Sequence, residues 1–258
     1  MNKDKILSLI SLLDDENENT ASFAIRELLA EGREVQSSLA EHQESSNNLL
    51  RKRIHQLQAI NSIKKSRDIL SRRFSNKHSS IWNGMLEVHL AWFDKDTKEN
   101  INILFCELLK EFSQKNTITP ATIANFMRSM GFVMPIDGDI DPEYYCMGPV
   151  LESKIGSDAL LSTIAYKLLI ESGVITKLVQ YKNLVCLLYR PEIVISPNTW
   201  KLEPANISDY QEIEPGKLLR HTMLQLFLAS TCSENYRYSF TIGKCLKKAK
   251  APSKNKVL

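Results

Sequence analysis

Residues 156–190 constrain the fold more than any other stretch. There a long apolar helix pattern is bounded by glycines and followed by short β-rich runs. Leu160, Leu161, Ile164, Ala165, Leu168 and Leu169 recur at helical spacing. A stripe that broad predicts a central, buried helix over Ser157 to Ser172. Gly156 precedes it, Ser157 or Asp158 can cap its first N–H groups, and Gly173 can close it. VITKLVQY, LVCLLY and EIVI then follow, rich in β-branched and apolar residues. With Asn183 in the tight turn between the first two and Pro191 before the third, they read as strands of a small antiparallel sheet. The predicted fold class is therefore α+β, with a mostly helical N-terminal half.

The rest of the chain supplies helices. Ile6, Leu9, Ile10, Leu12 and Leu13 form a first apolar face, ended by Asp14 to Asn17. Thr20 is a candidate cap for a second helix with Phe23, Ala24, Leu28 and Leu29 inward and Gly32 past its end. LISLLDD…ASFAIRELLAEG resembles one helical-pair unit of the HEAT type. A third helix is expected over Val35 to Gln43. A long basic one is expected over Leu49 to Phe74, with Leu50, Ile54, Leu57, Ile60, Ile63 and Leu70 on one face. Further helices follow from Ile81, Met85, Val88 and Trp92, then from Ile101 to Phe112, and then from Thr119-Pro120 to Gly131. PIDGDIDPEYY is a loop. Gly216 to Ser230 and Tyr236 to Lys248 read as a closing helix pair, and the Lys- and Ser-rich end as a disordered tail. The expected division is 1–75 (helical segment), 76–212 (core), 213–248 (helix pair) and 249–258 (tail).

Composition narrows the classes. No run of about 18 apolar residues occurs, so no membrane span is expected. The first apolar run is broken by polar residues and has no small-residue cleavage site, so the expectation is a cytoplasmic protein without a signal peptide. Cys106, Cys146, Cys186, Cys232 and Cys245 are odd in number with no CxxC, and the five histidines are scattered, which predicts free thiols and no zinc site. Asp137, Asp139 and Asp141 alternate as in a calcium loop, but Glu143 falls too early to complete one, so turn chemistry is the better account and no metal is expected. No phosphate-binding or nucleotide-binding motif is present, so no cofactor is expected. The net charge of +3 is small, but basic residues cluster at Arg51–Arg53, at Lys64–Arg73 and in the tail. A solvated helix face accounts for the 51–73 cluster, and nucleic-acid binding through it is the alternative.

Tyr144-Tyr145, Val150-Leu151-Glu152-Ser153-Lys154, Gly156, the helix LLSTIAYKLLIESG, the hairpin VQYKNLVCLLY, Ser196-Pro197 and LLRHTMLQLF occur in an order that resembles the transglutaminase-like family of the SirB regulator type. The resemblance runs over residues 5–248. It implies HEAT-like helices first, then a transglutaminase and cysteine-protease-like core, then a helix pair. In the wider fold a Cys at the central helix N-terminus acts with a His and an Asp on adjacent strands. A helix N-terminus lowers the thiol pKa, and the His and Asp complete the thiolate. Here those places fall on Asp158, Leu184 and Ser196, none of which can do that chemistry. Cys146, just before the helix, and His221 downstream are the remaining candidates for a nucleophile and a base. Tyr144, Tyr145 and Trp200 read as packing anchors. The expectation is a non-catalytic protein that binds another protein, with a thiol hydrolase or acyl transferase using Cys146 as the alternative.

Overall fold

The computed structural model describes residues 3–31, 33–76, 78–115, 117–234 and 236–248. The chain divides into two compact units, the first ending at Arg67 and the second starting at Asp68. The expected tail, 249–258, and Gly32 lie outside the described residues.

The first unit contains α1 (Lys3–Ser11), α2 (Glu18–Ala30), α3 (Arg33–Glu41) and the first part of α4 (Asn48–Arg73). Ile6, Leu9, Leu13, Ala24, Leu28, Val35, Leu39, Leu50, Ile54 and Leu57 form its core. One turn is used twice. Asn17 takes the Asn19 N–H at the start of α2, and Asn47 takes the N–H groups of Leu49 and Leu50 at the start of α4. Each Asn is braced in turn, by Asp15 and by Ser45. Asn17, not Thr20, is therefore the cap of α2. Phe23, expected inward, is 48% exposed, because Ala21, Ala24 and Leu28 share the buried stripe and Phe23 lies off it. α4 serves two cores. Leu50, Ile54 and Leu57 are buried in the first unit and Leu70 in the second, while Ile60 and Ile63 are only half-buried, so the single inner face expected along its length is not formed.

The second unit continues with α5 (Ile81–Trp92), α6 (Lys98–Ser113), α7 (Pro120–Ser129), α8 (Met147–Ser153) and α9 (Asp158–Glu171). Hydroxyl caps start α5, α6, α7 and α9: Ser80, Thr97, Thr119 and Ser157 each accept an N–H three residues on. The sheet follows, β1 (Lys177–Tyr181), β2 (Leu184–Leu188), β3 (Ile193–Ser196), β4 (Lys201–Pro204) and β5 (Tyr210–Glu212), antiparallel throughout in the order β4-β3-β2-β1-β5. α10 (Pro215–Cys232) and α11 (Tyr236–Lys248) close the unit, packing on each other and on α5. The fold is α+β.

The β1–β2 hairpin turns through Lys182 and Asn183, both left-handed at φ 48° and 64°, the pairing that suits a two-residue hairpin. Strand alternation then sorts the side chains. Leu178, Val185, Leu187 and Ile195 join the main core with α9. Val179, Tyr181, Cys186, Leu188 and Val194 form a smaller cluster with Ala205 and Tyr210. Trp200 is buried and pins the β3–β4 turn, its indole N–H donating to the Phe132 carbonyl at 2.7 Å. Arg128 of α7 donates to the Trp200 carbonyl at 2.7 Å. Among the described residues no helix is long and apolar enough to cross a membrane.

Candidate functional site

The start of α9 is built by the residues around it. α8 ends at Lys154 in the left-handed conformation (φ 66°). The chain then runs extended beside Val133, which donates to the Lys154 carbonyl and accepts from the Gly156 N–H, while Ser157 donates to the Tyr144 carbonyl at 2.9 Å. A Cβ at Gly156 would come within 2.6 Å of a Val150 methyl carbon, so the glycine lets α8 and the α9 entry touch. Ser157 is the cap, accepting the Leu160 N–H. Asp158 therefore serves elsewhere. Its carboxylate leaves the helix and accepts the Val185 N–H of β2 at 2.7 Å.

Three elements, α9, β2 and β3, thus meet around Asp158, Leu184 and Ser196, and the groups there are engaged with the fold. Asp158 is half-buried and hydrogen-bonded to β2. Leu184 is half-buried and joins the outer sheet cluster. Ser196 is buried, with its hydroxyl in hydrogen-bond reach of Cys186. Burial pushes the Cys186 thiol up to about 12, and the Ser196 hydrogen bond only partly offsets this. No imidazole stands at these positions. Replacing Asp158 with alanine should cost about 1–3 kcal/mol, because the Val185 N–H loses its acceptor inside the structure. Asp158→Asn, which keeps an oxygen, should cost less. Equal denaturation midpoints for wild type and Asp158→Ala would refute this role.

Cys146 and His221 are not brought together. Cys146 is fully buried at the entry to α8. Burial, with Glu143 and Asp141 adding, holds its thiol well above the usual value. His221 is exposed on α10, in a groove with Leu246 and Lys247 of α11. Among the described residues no hydrogen bond joins the two. The basic cluster of α4 is also partly committed. Arg53 donates to the carbonyls of Leu13 and Asp15, Lys64 to that of Leu29, and Arg73 pairs with Glu87 at 2.6 Å. The loop acids do turn work: Asp141 caps the Glu143 N–H, and Asp139 accepts the Tyr144 hydroxyl at 2.5 Å, which raises that phenol to about 12.

Sequence reasoning missed a buried histidine cleft. His89 on α5, Asp96 after it, Asn100 and Leu104 on α6, and Gly148 and Glu152 on α8 line a cleft of about 370 Å³. His89 Nδ1 accepts the Gly148 N–H, so Nε2 carries the hydrogen and donates to Asp96 at 3.0 Å. Asp96 also takes the Thr97 N–H and the Asn100 amide. A Cβ on Gly148 would come within 2.9 Å of the imidazole. Both ring nitrogens are thus occupied, which suits a positioning role rather than proton transfer. The available signal was the place of His89 in the buried stripe of Met85, Val88 and Trp92.

Burial lowers the His89 pKa below its ordinary 6.5, outweighing the opposing hydrogen bond and charge of Asp96. The unfolded chain therefore takes up this proton at higher pH than the folded chain does. The stabilisation by neutral His89 is present above about pH 6.5 and lost as pH falls through the folded value. Denaturation midpoints should fall between about pH 7.5 and about pH 5.5, and fall less in His89→Leu. Parallel pH profiles for the two proteins would exclude His89 as the source.

The chain matches no protein-family model, no curated protein and no solved structure.

Proposed function

We propose that this is a transglutaminase-like protein of the SirB regulator type that has no catalytic thiol and works by binding another protein. The carrying observation is the closed start of α9, where Asp158 is spent on the Val185 N–H. Its neighbours there, Leu184, Cys186 and Ser196, offer neither a thiolate nor a base. A nucleophile at a helix N-terminus needs a free, low-pKa group, and the residues present meet neither requirement.

Thiol chemistry tests the non-catalytic half. Native protein treated with iodoacetamide should label at the exposed Cys106 and Cys232, and at Cys146 and Cys186 only after unfolding. Cys146 labelling in the native protein as fast as Cys106 would restore the thiol-enzyme reading. Cross-linking in living cells, followed by mass spectrometry, tests the binding half. Recurrent cross-links from this chain to one protein are expected, and cross-links to nucleic acid alone would overturn it.

A further inference from the structure

α10 carries more apolar surface than its core contacts use. Leu218, Leu219, Met223 and Leu226 are buried on its inner side. On the outer side Lys217, His221, Leu224 and Leu228 follow at three- to four-residue steps. Leu224 and Leu228 remain 46% and 49% exposed. Lys217, Arg220, His221 and Leu224, with Leu246 and Lys247 from α11, line a groove of about 560 Å³, and Leu228 follows one turn further along α10. Leu224 and Leu246 line it together with His221 and the cationic Lys217, Arg220 and Lys247, and among the described residues no carboxylate lines it. Lys217 pairs with Glu214 at 3.7 Å, an exposed pair that a partner's carboxylate can replace.

We propose that this groove receives an acidic amphipathic helix of a partner protein, an inference that rests on the binding-protein reading above. A helix laid in a groove presents apolar anchors at three- and four-residue steps and keeps its charges at the edges. The stripe from Lys217 to Leu228 covers about three helical turns, roughly 16 Å, which matches a partner helix of similar length. Leu224 and Leu246 take the anchors in the groove, Leu228 one further anchor beyond them along α10, and Lys217, Arg220 and Lys247 meet the acids. The chain's own last residues carry Lys250, Lys254 and Lys256 and no acid, so they have the wrong charge to fill it. A nucleic-acid duplex would meet the cationic side chains and leave Leu224 and Leu228 uncovered.

The full chain is titrated with a fluorescent peptide of about 18 residues, with leucine at helical spacing and glutamate elsewhere. The same peptide with lysine for glutamate is the control. The glutamate peptide is expected to bind, less tightly as salt rises, and the lysine peptide not to bind. Arg220→Glu with Lys247→Glu should weaken binding at least ~10-fold, and Leu224→Ser should weaken it without changing the salt dependence. All three positions are on the surface or half-buried, and circular dichroism checks that the variants fold. No binding, or binding that ignores these substitutions, overturns the groove proposal. So does tighter binding of phosphatidylserine vesicles or duplex DNA through the same residues, or a wild-type dimer that the charge reversal makes monomeric. None of these outcomes touches the thiol test, so the groove can fail while the non-catalytic reading stands.

Discussion

Trp200→Ala is expected to destabilise the second unit by about 3–5 kcal/mol, the usual loss for a buried tryptophan. For a unit of this size that lowers its melting temperature by about 6–20 °C. Two losses combine. The indole leaves a cavity beside α7, and the Phe132 carbonyl loses its donor. Trp200 also holds a left-handed backbone (φ 50°), which its packing sustains and alanine would have to sustain without it. Trp200→Phe keeps an aromatic ring and removes the N–H, so it should lose about 1–2 kcal/mol less than alanine does. A thermal melt of Trp200→Ala within a degree or two of wild type would show that the β3–β4 turn does not depend on this anchor.

Gly216→Ala should have the next largest effect. A Cβ there would lie 2.4 Å from the Phe74 carbonyl oxygen and 2.9 Å from that of Arg73. Both are backbone atoms, so no rotamer change relieves the clash, and the start of α10 or the end of α4 has to move. Overpacking of this kind costs about 1–3 kcal/mol and sometimes more. Gly84→Ala is the comparison. Its Cβ would come within 2.3 Å of the Leu219 side chain, which can change rotamer where a backbone carbonyl cannot, so a smaller loss is expected. If the two alanine variants denature at the same point, the backbone contact at Gly216 is not what limits the site.

What could be read in advance follows from how strongly each element advertises itself. α9 carries a broad apolar stripe between two glycines, and the β1–β2 hairpin has β-branched runs about Asn183, so both were legible. β4 and β5 were not. They are short edge strands with mostly exposed side chains, so they show no apolar alternation. α8 was hidden because Gly148 and Pro149 occupy its first turn, where they do little harm. The fate of Asp158 was beyond sequence reasoning for a different reason. A helix-start carboxylate looks like a cap, and only the tertiary structure brings Val185 to it. The His89–Asp96 pair likewise depends on α8 delivering the Gly148 N–H.

The hydrogen bond between Asp158 and Val185 also bears on how this chain could change over time. Position 158 is where the proposed transglutaminase-like reading would put a thiol, so a cysteine there is the substitution to consider. It would take the acceptor from a strand N–H before any imidazole stood nearby to use the thiol. Asp158→Cys is thus expected to lower stability by about 1–3 kcal/mol. The bond that joins α9 to the sheet therefore sets a stability cost on placing a thiol at this helix start.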